Sequence, residues 1–265
     1  MGTSIVITSG KGGVGKTTTT ANLGTGLALL GKKVVVLDAD TGLRNLDLHL
    51  GLENRIVYNL VDVIEGTCKL KQALIKDKRL DNLYLLPTAQ IKDKTCINQE
   101  QMQELVENLK DDFDFILIDC PAGIEGGFEN AIAGADMALI VTTPEVSAVR
   151  DADRIIGKLE SKGIDDHRLI VNRINYDMTK KGEMLNIDDM TDILAIKLIG
   201  IVPEDERIVI STNRGEPVIL DENSKAGQAF KNIARRILGE EVPYIELNDD
   251  NEGFLNKLKK IFFKN

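Results

Sequence analysis

The 265-residue sequence is poor in the residues that staple or punctuate a chain, with 3 cysteines and 6 prolines. Cys68, Cys96 and Cys120 are odd in number, far apart and without a C-x-x-C pair. That argues against a disulfide framework or a zinc site and for a reducing compartment. No apolar run approaches the roughly 20 residues that a membrane-spanning helix needs. The opening MGTSIVITSG has neither the basic n-region nor the apolar core of a secretory signal. Val6 stands where a myristoylation signal carries Ser or Thr. Linkers rich in Pro, Gly or Ser are not found, and no internal repeat is evident. With 43% hydrophobic and 28% charged residues, the composition is that of a globular protein and excludes collagen-like or wholly disordered chains. The length allows one large α/β domain or two small ones, and either can bury a proper core.

Charge is unevenly spread. The total of 33 Lys+Arg against 42 Asp+Glu leaves −9, which argues against a general nucleic-acid binder. Residues 253–265 nevertheless carry Lys257, Lys259, Lys260 and Lys264 and no acid, so everything before them amounts to −13. A cationic end on an anionic body calls for its own explanation.

Seven short apolar runs, at 4–9, 33–38, 82–87, 114–119, 137–142, 168–172 and 197–203, are continuous rather than alternating, as strands covered on both faces are. Helical patterns lie between and after them, near 16–30, 57–65, 99–110, 126–134, 146–162, 184–195 and 225–238. Strand then helix, repeated, predicts parallel βαβ units with right-handed crossovers. The expected fold is α/β: a doubly wound, mostly parallel sheet flanked by helices over residues 1–240. A flexible acidic spacer is expected at 241–252 and an amphipathic helix at 253–265.

The first run leads into Gly10, Lys11, Gly12, Gly13, Val14, Gly15, Lys16 and Thr17, then a helix. This is G-x-x-x-x-G-K-[ST] in the strand–loop–helix setting that gives the motif its meaning. Glycines let the backbone curl so that several N–H groups face one point, and the helix N-terminus adds its positive dipole. Lys16 can then reach the β- and γ-phosphates while the Thr17 hydroxyl ligates Mg²⁺. Two strand ends supply carboxylates at the same sheet edge, Asp38 with Asp40 and, after FILID, Asp119. A strand-end aspartate can be a plain helix cap, but beside a phosphate loop it reads as a magnesium-site carboxylate.

The loop K-G-G-V-G-K-T, with Lys11 ahead of the glycine pair, resembles the deviant Walker A loop of the MinD/ParA ATPase family. The match runs through SGKGGVGKTT (9–18), D-x-D-x-GLRNLDL (38–48), QALIKDKR (72–79), DCPAGIE (119–125), TTPEVSAVRDADR (142–154), VPEDE (202–206) and GEPVILD (215–221). The resemblance therefore covers essentially the whole chain, within the septum-site-determining branch. It implies ATP/ADP and Mg²⁺ as cofactors and ATP hydrolysis as the reaction. Lys11 corresponds to a signature lysine that crosses a homodimer interface; Lys16 already serves its own phosphates, which leaves a second loop cation free for that role. Gly12, Gly13, Val14, Gly15, Lys16, Thr17 and Thr18 would surround the phosphates, with Thr18 near the α-phosphate. Thr17, Asp38, Asp40 and Asp119 would form the metal and water-positioning set. Asn172, Arg173, Pro203, Glu204 and Asp205 would line the adenine side. Arg44, Asn45, Gly123 and Glu145 would belong to switches or the dimer face. The same resemblance implies two protein partners, the division inhibitor MinC and the activator MinE, docking near the helix that begins around Ser147, where Arg150, Asp151 and Asp153 are candidate contacts. His49 and His167 are expected apart from the site.

In GFLNKLKKIFFKN, a helical projection puts Phe254, Leu255, Leu258, Ile261 and Phe262 within an arc of about 120°. Lys257, Lys259, Lys260 and Lys264 fall outside it, and Phe263 breaks the pattern. A basic amphipathic helix of this kind lies in a headgroup interface. The alternative is a terminal helix docked on the protein's own core. The combined expectation is an ATPase for division-site placement: dimeric with ATP, peripheral on the cytoplasmic face of a bacterial membrane rich in anionic phospholipid, cytoplasmic after hydrolysis. A ParA-type DNA-partition ATPase shares loop and fold but needs a basic dimer surface, so specific nucleic-acid binding is not expected. A flagellar-number ATPase typically begins with an activator extension ahead of the first strand. Electron transfer as in the nitrogenase iron protein needs two cysteines per subunit in glycine-rich loops.

Overall fold

A computed structural model describes residues 1–40, 44–90, 97–124 and 127–245. Its first half runs β1 (Thr3–Thr8), α1 (Lys16–Leu29), β2 (Val34–Asp38), α2 (Leu46–Leu50), α3 (Leu60–Ile64), α4 (Leu70–Ala73), β3 (Ile75–Lys76) and β4 (Leu83–Leu86). Then come α5 (Gln99–Lys110), β5 (Phe115–Asp119), α6 (Phe128–Ala131), β6 (Met137–Thr142) and α7 (Val146–Ser161). The last part is β7 (His167–Ile174), α8 (Tyr176–Lys180), α9 (Ile187–Leu194), β8 (Lys197–Pro203), α10 (Arg207–Asn213) and α11 (Lys225–Ile237). The strands form one eight-stranded sheet in the order β3-β4-β2-β5-β1-β6-β7-β8. Every pairing is parallel except the short antiparallel β3 on β4.

Successive residues of each central strand enter opposite cores, the period-two geometry of a sheet buried on both faces. Ile5, Ile7, Val34, Val36 and Leu117 pack with α1 and α11 on one side. Val6, Val35, Leu37, Ile116 and Ile118 pack with α5, α7 and α9 on the other. This is why the runs read as unbroken apolar stretches. Several helix starts follow from caps that the apolar pattern does not register. The Asn59 side chain accepts from Val61 and Asp62 and delays α3 to Leu60, and Asn186 caps α9 so that it begins at Ile187. The short α2, α4, α8 and α10 and the two-residue β3 were not expected from the sequence. None spans the window of about 11 residues or more over which a helical period is read.

Between the last core helix and the expected spacer, Arg236 fixes residues 241–245. Its guanidinium donates to the carbonyl oxygens of Ile199 at 2.9 Å, Val242 at 3.0 Å and Pro243 at 2.8 Å. The Tyr244 ring lies 4.3 Å from it, and the Tyr244 hydroxyl donates to the Leu198 carbonyl. The expected spacer is thus held against edge strand β8 over 241–245. The rest of that spacer and the amphipathic segment at 253–265 lie outside the described residues, as do Cys96 and Glu125.

Helix α1 carries the phosphate loop, so its seat on the sheet fixes where the loop sits. Gly24 lets it approach: a Cβ there would meet Val36 Cγ1 at 2.4 Å and Leu83 Cδ1 at 3.6 Å. Ala is the better helix former by about 1 kcal/mol. Val36 is stiff and fully buried in a central strand, and overpacking such a site typically costs about 1–3 kcal/mol. Gly24→Ala should therefore destabilise the protein by up to about 2 kcal/mol in urea denaturation; a gain in stability would show that α1 can shift away from the sheet.

Candidate functional site

The site forms where β1, β2 and β5 end side by side. Thr8 leads into the loop at residues 9–15, and Asp38 of β2 stands in register with Asp119 of β5. Ligands in sheets of this kind bind at the carboxyl ends of the strands. Gly15 closes the loop as the N-cap of α1 with φ of 104°, a left-handed conformation that side chains resist. A Cβ on it would also strike Asn172 Nδ2 at 2.3 Å. Gly10 has no room either, since a Cβ would overlap the Asp151 backbone of α7. The loop is therefore clamped between α7 and the end of β7, and Asn172 locks it by donating to the Val14 carbonyl at 2.7 Å.

Lys16 is buried to 8% exposure and donates to Ser9 Oγ at 3.0 Å. Ser9 Oγ in turn donates to the Lys11 carbonyl at 2.8 Å, and the Gly123 N–H donates to the Ser9 carbonyl at 3.2 Å. Asp38 and Asp119 are 1% and 2% exposed. Asp38 accepts from the backbone of Asp40 and Leu46; Asp119 accepts from the Thr20 hydroxyl at 3.2 Å. Burial, reinforced by the neighbouring Asp119 charge, holds the Asp38 carboxyl well above the usual carboxylate range. Burial pushes Asp119 up to about 6, opposed by the Thr17 and Thr20 hydroxyls and the Lys16 charge. Cys120, next in the chain, is buried with its thiol raised to about 12, the reverse of a ready thiolate ligand.

Two hard carboxylates with a lysine and hydroxyls around them fit Mg²⁺ better than a soft or large ion. Among the described residues, no cluster of three or more His, Cys, Asp or Glu could cage a metal. A magnesium ion here would take Thr17 and a strand-end carboxylate, directly or through water, and complete its shell from phosphate oxygens.

The loop's outer rim is built differently. Lys11 is exposed and donates to Glu145, the residue that starts α7, at 2.8 Å, with Ser147 Oγ 3.5 Å away. The exposed Arg173 takes φ of 57° at the end of β7 and adds its charge to the Lys11 contact in lowering the Glu145 pKa. Pro203, Glu204 and Asp205 end β8 beside it. Glu204 accepts from Asn175, whereas Asp205 is engaged in the fold, accepting from Ser224 Oγ, Ala226 N and Arg207 N. Arg44 pairs with Asp47 at 2.9 Å, and Asn45 starts α2. The structure thus brings together Lys16, Thr17, Asp38, Asp40, Asp119 and Gly123, and a second group of Lys11, Glu145 and Arg173.

Two hydroxyls of the site were missed by sequence reasoning. Ser9 holds Lys16, and Thr20, one helical turn after Thr17, touches Asp119; the i, i+3 spacing would have found the second. The expectation for His49 is corrected. It does not stand apart from the site, because Nε2 lies 3.2 Å from Thr18 Oγ1 and Nδ1 lies 2.9 Å from the Asn45 carbonyl oxygen. The cause is α2, a short helix that packs residues 46–50 back onto α1.

Comparison with known proteins places this arrangement. Residues 2–167 match the AAA domain family and residues 92–260 match the 4Fe-4S iron sulfur cluster binding proteins, NifH/frxC family. The septum site-determining protein MinD of Bacillus subtilis (strain 168) is 57% identical over 264 residues, covering 99% of this chain and 98% of that protein. The MinC:MinD cell division protein complex of Aquifex aeolicus superposes with a TM-score of 0.87 at 54% identity, covering 92% of this chain and 98% of that one. MinD from Pyrococcus horikoshii, complexed with Mg-ADP, gives 0.81 at 33% identity over 89% of this chain and 96% of that one.

The Asp119 carboxyl predicts how the metal-free protein responds to pH. Its folded value near 6 lies above the ordinary 3.8, so ionising it opposes folding. Stability conferred by the protonated form is lost as pH rises from about 4 through 6. Asp119→Asn should accordingly be the more stable protein by up to about 3 kcal/mol at pH 8 in a chelator, with the gap closing toward pH 4. Urea denaturation at both pH values measures this, and a gap independent of pH would contradict it.

Proposed function

The chain belongs to the family of septum site-determining MinD proteins, P-loop ATPases of cell division that use nucleotide with Mg²⁺, and on that premise we propose a cycle of ATP-dependent dimerisation and membrane attachment. ATP binds the loop at residues 10–17, two copies close over the pair of nucleotides, and hydrolysis separates them. Lys16 and Mg²⁺ neutralise the developing phosphate charge. Asp40 orients the attacking water, and Asp119 holds magnesium through water. Positioning and charge neutralisation supply nearly all of such catalysis. Asn172 and Arg173, with Pro203 to Asp205, border the base.

The observation that carries this reading is the division of labour between the two loop lysines. Lys16 is buried and aimed inward, while Lys11 is 42% exposed on a rim pair with Glu145, itself 57% exposed. An exposed pair contributes about 0–1 kcal/mol at most. The denser charge of a partner's triphosphate can therefore take Lys11 from Glu145, leaving Glu145 to face the second subunit with Arg44, Asn45 and Gly123.

Residues 253–265 supply the membrane contact in this scheme, with Phe254, Leu255, Leu258, Ile261 and Phe262 in the interface and Lys257 and Lys260 among its phosphates. Each lysine near an anionic leaflet contributes about 1 kcal/mol, and ordering the segment costs about 1 kcal/mol or more per residue. One tail is marginal; two tails on one dimer gain from effective concentration. Among the described residues no helix is long and apolar enough to cross a membrane. The inhibitor MinC is recruited to the dimer, and an activator of the MinE kind stimulates release.

Sedimentation with Mg²⁺ and a non-hydrolysable ATP analogue should give a dimer, and ADP a monomer. Lys11→Ala should stay monomeric while still binding nucleotide. Anionic vesicles should pellet the full chain with ATP but not a chain ending at Asn251. A full-length chain that remains monomeric with the analogue would overturn the scheme.

A further inference from the structure

His49 is one of only two histidines in the chain, and its ring is placed between the nucleotide loop's helix and the first switch. Nδ1 lies 2.9 Å from the Asn45 carbonyl oxygen, which has no proton to give, so Nδ1 carries the hydrogen. The neutral ring then has a lone pair at Nε2, 3.2 Å from Thr18 Oγ1, and the Thr18 hydroxyl donates to it. The hydroxyl proton is thereby committed away from the loop.

Thr18 stands in the first turn of α1, where backbone N–H groups and the helix dipole favour phosphate. Phosphate oxygens of a nucleotide accept hydrogen bonds. If Thr18 donates to one, it cannot also donate to His49. Two arrangements resolve this conflict. Either the His49 contact breaks, or Nε2 takes up a proton and donates to Thr18 Oγ, whose own proton then points to the phosphate. The second keeps both bonds and places a cation a short distance from the phosphate charge.

We propose that His49 is a positioning residue for the nucleotide: phosphate engagement by Thr18 is completed by uptake of one proton at His49 Nε2, and the resulting imidazolium ties the Asn45 carbonyl of the first switch to the loaded loop. The inference rests on the reading that nucleotide phosphates occupy residues 10–17. The proton comes from solvent, and no covalent bond is made or broken.

The surroundings leave room for that change. Burial holds His49 below its ordinary value in the free protein, opposed by the Asn45 carbonyl and the Asp47 charge. Helices α1 and α10 pack against α2, yet their cations are engaged elsewhere: Lys16 on Ser9, and Arg207 on Asp221 at 2.7 Å. Arg44 pairs with Asp47, Arg79 donates to the Leu50 carbonyl of α2 at 2.7 Å while paired with Asp77, and Lys78 approaches α2 at its C-cap, Gly51. A bound phosphate would be the new charge in this setting, and it raises the histidine's proton affinity. Because the loaded protein then binds more protons than the free one, affinity is greatest below the free-state pKa and falls as pH rises through the loaded-state pKa.

The test uses the full chain with Mg-ADP, which avoids dimerisation. Calorimetry in two buffers of different ionisation enthalpy reads proton uptake directly. Wild type should take up more protons per ADP near neutral pH than His49→Gln, up to about one. Its affinity should weaken by as much as about tenfold per pH unit relative to that variant. Protonation of ADP itself is common to both proteins and cancels in the difference. Nitrogen NMR of the histidine rings keeps the test open should the variant fail to fold, with His167, at the start of β7, as internal reference. The Nδ1–H tautomer is expected without nucleotide and an imidazolium with it. Equal proton uptake in the two proteins, or a ring that stays neutral on loading, overturns the inference alone. Failure of both proteins to bind Mg-ADP overturns the nucleotide reading and this inference together.

Discussion

The rest of the site depends on two carboxylates buried side by side at the ends of β2 and β5. Asp38 and Asp119 are brought into register by the parallel pairing of their strands, in a place nearly closed to water. Burial raises the proton affinity of both and the Asp119 charge adds to it at Asp38; at Asp119 the hydroxyls of Thr17 and Thr20 and the Lys16 charge offset the rise only in part. The free protein therefore carries an electrostatic deficit that a divalent cation would relieve. Carboxylates perturbed by burial and by a like charge cluster at functional sites. The phosphate loop, its buried lysine and the strand-end carboxylates are parts of one charge balance that closes with metal and nucleotide present.

Rigidity and readiness to change are kept in different layers of the site. The inner layer is overdetermined: Gly10 and Gly15 admit no side chain, Asn172 holds Val14, and Ser9 connects Lys16 to the loop and, through its carbonyl, to Gly123. Preorganised donors of this kind do not have to reorganise when charge develops. The outer layer consists of exposed ion pairs such as Lys11 with Glu145, which are weak enough to be exchanged. His49 lies at the boundary, bonded to α1 on one side and to the Asn45 carbonyl ahead of α2 on the other.

Much of the fold was legible from the chain. A sheet buried on both faces leaves unbroken β-branched runs, and the seven long strands were visible for that reason. The edge strand β3 and helices α2, α4, α8 and α10 were not, because they are shorter than the window of about 11 residues over which a helical period is read and stand outside the longer apolar patterns that covered α3 and α6. For the site, the phosphate loop was legible because its glycines answer a backbone requirement that few other residues can meet. The strand-end aspartates were legible because position along a parallel strand reveals which sheet edge they reach. Ser9 and His49 were hidden. Their roles arise from contacts such as His49 with Thr18, 31 residues apart in the chain, which no local pattern encodes; Thr20 was marked only by its i, i+3 spacing from Thr17.

Sequence alone therefore determined the architecture, the nucleotide loop and the presence of a second loop lysine, since each is written in local periodicity or in residues that a backbone conformation demands. Tertiary structure decided which carboxylates share a buried space, where Lys11 rests, how the chain after α11 is strapped to β8 by Arg236, and that His49 touches Thr18. Those outcomes depend on strand order and on where short helices fold back. They are set by the packing of distant segments, and a linear pattern does not carry that information.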